Sequence, residues 1–282
     1  MDDGNSFGAR LRAAMHTRGP LCVGIDPHAE LLREWGVGDD PAGLERFVRT
    51  VIDALADRVA VVKPQVAFFE RFGSRGIAVL ESAIGQVRAA GALVLLDAKR
   101  GDIGSTVAAY AAAYLDPSSP MQADAITANP YLGVSALAPM FDTARAHGGG
   151  VFVIARTSNP EADTVQNARA AGGGTVAQHV VDEISQLNQG ADGLGSFGVV
   201  VGATVGDSGL DLSRLRGPIL APGLGAQGAT AADLPAVFGP ALPAVLPTYS
   251  REVLRAGPDV TALRKVAARL RDECAAGLAA TV

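Results

Sequence analysis

Eight short apolar runs, none of them alternating with polar residues, recur along this chain between longer stretches of helical periodicity. They are LCVGID (21–26), VAVVKPQ (59–65), ALVLLDAK (92–99), ADAITANP (123–130), GVFVIARTS (150–158), GVVVGAT (198–204), PILAPGLG (218–225) and PAVLPTYS (243–250). A strand wetted on one face alternates, whereas a continuous run suits a parallel strand covered on both faces. Between the runs lie amphipathic candidates such as PAGLERFVRTVIDALADR (41–58), with Pro in its first turn, and GIAVLESAIGQVRAAG (76–91), closed by glycine. A βα unit repeated about eight times predicts an α/β fold, and 282 residues suit one (β/α)8 TIM barrel, which typically takes about 250. No linker rich in Pro, Ser or charge divides the chain, so 1–282 reads as a single domain. A doubly wound open sheet is the alternative, but GIDPHAELLREWG after the first run lacks the expected GxGxxG.

Composition narrows the function classes. Hydrophobic residues make up 48% and charged ones 19%, ample for a large core, and a net charge of −5 without any Lys/Arg-rich run argues against a nucleic-acid partner. Cys22 and Cys274 lie far apart with no ligand spacing, which predicts no disulfide framework and a reducing, cytoplasmic setting. The opening MDDGNSFGAR lacks a basic and then apolar leader, and nowhere do about 20 apolar residues run together, so neither secretion nor a membrane span is expected. His16, His28, His147 and His179 are scattered, which predicts no metal site. The pair Phe68 and Phe69 reads as core or interface.

In such a barrel, catalytic groups sit where strands end and βα loops begin. Asp26 ends the first run, Lys63 the second, and Asp97 with Lys99 the third. Strand alternation would place Asp97 and Lys99 on one face, with Ala98 on the other. Asp102 follows in the turn before STVAAYAAAYL, where it faces its own site or a neighbour's, or caps the helix near Ser105. Structural ion pairing could account for any one of these groups, but not readily for four at the ends of three consecutive strands. APGLGAQGAT (221–230) and TYSREVL (248–254) follow the seventh and eighth runs, where barrels often bind phosphate, and Gln227 and Arg251 add side-chain donors there.

These residues resemble the orotidine 5′-phosphate decarboxylase family, specifically the bacterial branch whose signature reads like DAKRGDIGST. The ordered set runs through most of the chain: GIDPHAELL, VVKPQVAFFE, ANPYLG, TSNPE, PGLGAQG and SREVL. One departure is visible, Ser250-Arg251 where other branches often carry Gly-Arg. The resemblance implies decarboxylation of orotidine 5′-monophosphate to UMP in de novo pyrimidine synthesis, by a homodimer with shared active sites and without cofactor or metal. It further implies that Asp26 and Lys63 hold ribose hydroxyls, that Asp97, Lys99 and Asp102 form the charged array at the reacting carboxylate, and that Asp102 enters the partner subunit's site. Ser158 would bind the pyrimidine amide, with Gln227 and Arg251 on the phosphate. Thr127 and Asn129 lie close by without an assigned contact.

The chemistry suits the residue types. Loss of CO2 from C6 leaves an in-plane electron pair that the ring carbonyls delocalise poorly, and a lysine ammonium held by carboxylates can stabilise and then protonate it. Remote phosphate contacts can drive closure of PGLGAQGATAAD, while SNPEADTVQNARAAGGG (158–174) reads either as a second lid or as a surface excursion. The competing readings are a metal-dependent barrel lyase with a similar DxKxxD, a Schiff-base aldolase and a non-catalytic phosphate-ligand barrel; carboxylates flanking Lys99 oppose the neutral amine an aldolase needs.

Overall fold

The eight apolar runs become eight parallel strands: β1 (Cys22–Ile25), β2 (Val61–Pro64), β3 (Leu93–Arg100), β4 (Ala125–Ala128), β5 (Gly150–Arg156), β6 (Phe197–Val201), β7 (Ile219–Ala221) and β8 (Val245–Tyr249). In the computed structural model, which describes residues 5–206 and 208–279, each strand pairs with the next. β8 returns to β1 through Cys22↔Thr248 and Val23↔Tyr249. The sheet is therefore a closed barrel, and the open-sheet alternative falls because no free edge remains. Every residue of β1, β2, β4, β6, β7 and β8 is buried, as continuous apolar strands between a filled interior and covering helices must be.

The helices follow their sequence signals. Pro41–Leu55 begins on its proline, Asp40 accepts from the Gly43 N–H at 2.8 Å, and Leu44, Phe47, Val48, Val51, Ile52 and Leu55 form its buried stripe. The second candidate starts three residues earlier than expected, running Gly73–Ala89. Gly91, at φ +89°, sits just past its end, where a left-handed residue terminates a helix readily.

A helix the sequence reading did not single out, Phe7–Arg18, closes the N-terminal end of the barrel. Its Phe7 ring meets Phe152 edge-on at 5.8 Å, and Leu11 is fully buried beside Val61, Leu95 and Leu246. Arg10 Nη1 reaches Asp124 Oδ1 at 2.5 Å and Nη2 donates to the Gly148 carbonyl, while Asp124 Oδ2 accepts from the Val94 N–H. With that end plugged, the barrel opens at the C-terminal ends of its strands. Both cysteines are buried and free, and burial pushes the Cys22 thiol up to about 12. No helix among the described residues is long and apolar enough to cross a membrane.

Candidate active site

A cavity of about 410 Å³ occupies that open end, and Asp26, Lys63, Asp97, Lys99, Gln227 and Arg251 all line it. They come from the ends of β1, β2, β3, β7 and β8, so closure of the barrel, not nearness in sequence, assembles them. Ile154, Val200, Leu220 and Pro222 give the cavity an apolar wall opposite the charged groups.

Asp97 is the hub. Its Oδ1 accepts from Lys99 Nζ at 2.5 Å and from Thr127 Oγ1 at 2.9 Å, and its Oδ2 accepts from Lys63 Nζ at 3.0 Å. With the Gln65 amide oriented by its partners, its nitrogen adds a bond to Oδ2 at 3.0 Å and another to the Asp97 carbonyl at 2.6 Å. Four donors thus fill a carboxylate with about four acceptor positions, which fixes it in place and in the ionised state.

Asp97 and Lys99 share the cavity and Ala98 does not line it, as alternation predicts, but the strand that brings them together is not regular. The pairing of β3 with β4 steps from Leu96↔Ile126 to Arg100↔Ala128, four residues against two, so β3 bulges between them. Within the bulge Lys99 takes φ +49°, a conformation that costs a non-glycine residue of order 1–3 kcal/mol. Thr127 fills the gap: its hydroxyl accepts from the Lys99 N–H at 3.0 Å and donates to Asp97. The N–H displaced from the ladder is therefore satisfied, and the bulge is held from the neighbouring strand. Beyond it, Arg100 bonds the Ala98 carbonyl, Tyr114 and Glu70.

Electrostatics keeps the buried pair charged. Burial favours the neutral amine of Lys63, but the Asp97 and Asp26 carboxylates more than offset it and hold the ammonium well above its usual range. Burial likewise favours a neutral Asp97, and Lys63 and Lys99 overcome it, so the carboxyl lies well below the usual carboxylate range. Asp26 Oδ1 is buried and has no hydrogen-bond partner among the described residues. An unsatisfied acceptor facing a polar cavity is suited to a ligand hydroxyl. Gly24 allows this crowding, since a Cβ there would lie 1.9 Å from Ser250 Oγ.

The loops after β7 and β8 carry the second cluster. Gly223, at φ +102°, turns the chain beneath Gln227, and the Gly225 N–H bonds the Ala229 carbonyl at 2.7 Å to close the loop. Gln227 Oε1 accepts from Ser158 Oγ at 3.1 Å, which joins this loop to the one after β5.

Other expected residues fall differently. Ser158 reaches the site through Gln227 at the cavity rim and does not line the wall. Asp102 lies outside its own chain's cavity: its Oδ1 accepts from the Ile103 N–H at 2.8 Å, and Ile103, not Asp102, holds the cap position of helix Gly104–Leu115. Asn129 turns away to accept from the Tyr131 N–H. His28 holds the N-cap position of the helix Ala29–Glu34 without a side-chain cap bond and also lines the cavity, its ring 4.3 Å from Phe68, and Phe68 is cavity wall whereas Phe69 is core. Sequence reasoning missed Gln65 and gave Thr127 no contact; their only signal is a polar residue inside a run otherwise buried. Among the described residues, no group of three or more His, Cys, Asp or Glu side chains is placed to hold a metal ion.

Residues 19–266 match the profile of the orotidine 5′-phosphate decarboxylase / HUMPS family. The chain is 71% identical to an orotidine 5′-phosphate decarboxylase of Salinispora arenicola over 273 residues, covering 97% of this chain and 98% of that one. It superposes on the crystal structure of a candidate orotidine 5′-phosphate decarboxylase from Streptomyces avermitilis with a TM-score of 0.95 at 59% identity, covering 98% of this chain and 96% of the other. It superposes on a Leishmania donovani OMP decarboxylase with a TM-score of 0.77 at 31% identity, covering 98% and 100%.

Proposed function

The chain belongs to the orotidine 5′-phosphate decarboxylase / HUMPS family, and from that membership we propose that it converts orotidine 5′-monophosphate to UMP and CO2, without cofactor, in de novo pyrimidine synthesis. The observation that carries the proposal is the Lys99 ammonium standing 2.5 Å from a carboxylate that three further side chains anchor. As the C6–CO2 bond breaks, its electron pair stays on C6. Lys99 sits ready to stabilise that charge and then to give C6 a proton from Nζ, in a site preorganised by Asp97, Thr127, Gln65 and Lys63.

The remaining roles follow the chemistry of each group. Asp26, with its free Oδ1, and Lys63 bind ribose hydroxyls. Arg251 and Gln227 grip the phosphate, and Ser158 meets the pyrimidine amide from the rim. The apolar wall keeps water from the reacting carbon. Asp102 serves the site of a second copy in a homodimer. What supports this is its position outside its own cavity, next to Ile103, an apolar side chain 60% exposed. We place this one barrel domain in the cytoplasm.

A spectrophotometric assay with orotidine 5′-monophosphate, with and without a metal chelator, tests the reading. UMP should form at the same rate in both. Unchanged substrate would overturn the assignment, and loss of activity with chelator would point to the metal-dependent lyase chemistry instead.

A further inference from the structure

The loop between β5 and the helix Val176–Leu187 is tied back to the barrel by a side chain to which the proposed chemistry gives no part. β5 pairs with β6 through Ile154↔Val200 and then Arg156↔Val201, so Ala155 is an extra residue and the strand bulges. Past the bulge the Thr157 N–H has no ladder partner. It donates instead to Gln166 Oε1 at 2.8 Å, while Gln166 Nε2 donates to Thr157 Oγ1 at 3.0 Å. One amide thus grips both the backbone and the side chain of a residue nine positions earlier.

Both ends of the short helix Asp163–Gln166 are fastened in this way. Arg156 Nη2 holds Asp163 Oδ1 at 2.5 Å, and Nη1 approaches Gln166 Oε1 at 3.4 Å. The grip extends toward the cavity. Thr157 lines the cavity wall, and its hydroxyl donates to Asn159 Oδ1 at 2.7 Å. Ser158 follows at once and bonds Gln227 on the facing loop. Gly202 lets the Ser158 backbone close in, since a Cβ there would come within 3.3 Å of the Ser158 nitrogen. A continuous path therefore runs from Gln166 through Thr157 and Ser158 to Gln227, and it bridges the two loops over the cavity mouth.

We propose that Gln166 is a positioning residue for catalysis: it sets the pose of Thr157 and Ser158 above the pyrimidine end of the cavity, and it acts through Ser158. The proposal rests on the decarboxylase reading above. Glutamine suits the task because it offers an acceptor and a donor at fixed spacing. Methionine of similar length offers no donor and only a weak sulfur acceptor, and glutamate keeps only the acceptor.

The test compares Gln166→Met, Gln166→Glu, Ser158→Ala and the Gln166→Met/Ser158→Ala double variant, all on the full chain. Gln166→Met should lower kcat/KM for orotidine 5′-monophosphate at least tenfold, and Gln166→Glu should recover part of the loss. Inhibition by inorganic phosphate should stay within twofold, because both phosphate-gripping side chains, Arg251 and Gln227, are kept. The double variant should be no slower than Ser158→Ala alone, since coupled residues are not additive. Amide exchange at Thr157 and Ser158 should quicken at least tenfold in Gln166→Met, with or without substrate. Fully additive losses would show a brace unrelated to Ser158, and unchanged exchange would show no grip at all; either overturns the proposal. If the wild-type protein leaves orotidine 5′-monophosphate intact, the decarboxylase reading fails and the catalytic role falls with it, while the exchange measurement still decides whether the grip exists.

Discussion

Lys99 Nζ lies 2.5 Å from Asp97 Oδ1 across a backbone that takes φ +49° to bring them together. A left-handed lysine on a strand persists only where its surroundings over-determine it. Thr127 does so from β4, and Asp97 is in turn held by Lys63 on β2 and by Gln65 just after it.

Replacing Asp97 tests how far this array is also structural. Asp97→Ala leaves Lys63, only 6% exposed along its side chain, with no direct carboxylate partner. Breaking one half of a buried pair costs about 3–5 kcal/mol, so the midpoint of urea unfolding should fall steeply. The Lys63→Met/Asp97→Asn double variant should recover much of that loss while remaining inactive. Equal stability of Asp97→Ala and wild type would contradict the pairing.

The same pair predicts a pH window. Asp97 is held below its ordinary range, so its contribution is present above the unfolded carboxylate value of about 3.9 and is lost as pH falls through the folded value. Lys63 is held above its ordinary range, so its contribution is present below the unfolded lysine value of about 10.4 and is lost as pH rises through the folded one. The stability difference between wild type and Lys63→Met/Asp97→Asn should therefore be flat from roughly pH 5 to 9 and change outside it. A slope near neutral pH would show that some other group dominates.

Arg251→Ala should weaken transition-state stabilisation by roughly 1.5–3 kcal/mol, and Gln227→Ala by roughly 0.5–1.5, as expected for a charged and a neutral donor. The loss acts through the phosphate. A substrate lacking phosphate should be indifferent to Arg251→Ala, and an equal loss in kcat/KM on both substrates for that variant would contradict the assignment.

Subunit mixing tests where Asp102 acts. Lys99→Ala and Asp102→Ala proteins are each expected to be inactive, yet a hybrid dimer with crossed sites would carry both lesions in one site and none in the other. Equal mixing makes about half the dimers hybrids, so activity should return to roughly a quarter of wild type. No recovery, with hybrids confirmed by mass spectrometry, would place Asp102 in its own subunit's site.

The barrel was legible because burial on both faces writes each parallel strand as an unbroken apolar run. Lys63 and Asp97 stood out as charges where such runs end. What stayed hidden depends on neighbours remote in sequence. The bulge that turns Lys99 is set by register against β4 and by the Thr127 hydroxyl, and Gln65 matters only because β2 lies beside β3. Ser158 meets Gln227 across 69 positions of sequence, which no local pattern encodes. The helix Phe7–Arg18 was missed for a related reason: what fixes it is the barrel floor it covers, through Phe7, Arg10 and Leu11.

The most direct test is the turnover of orotidine 5′-monophosphate by Lys99→Ala beside the wild-type protein. The Lys99 side chain is 45% exposed, so its removal should leave the fold, the circular dichroism spectrum and the melting temperature nearly unchanged. Deleting both the stabilising charge and the proton donor should lower kcat by about 10²–10⁴-fold or more. A folded Lys99→Ala protein that still decarboxylates at a rate comparable to wild type would contradict the account.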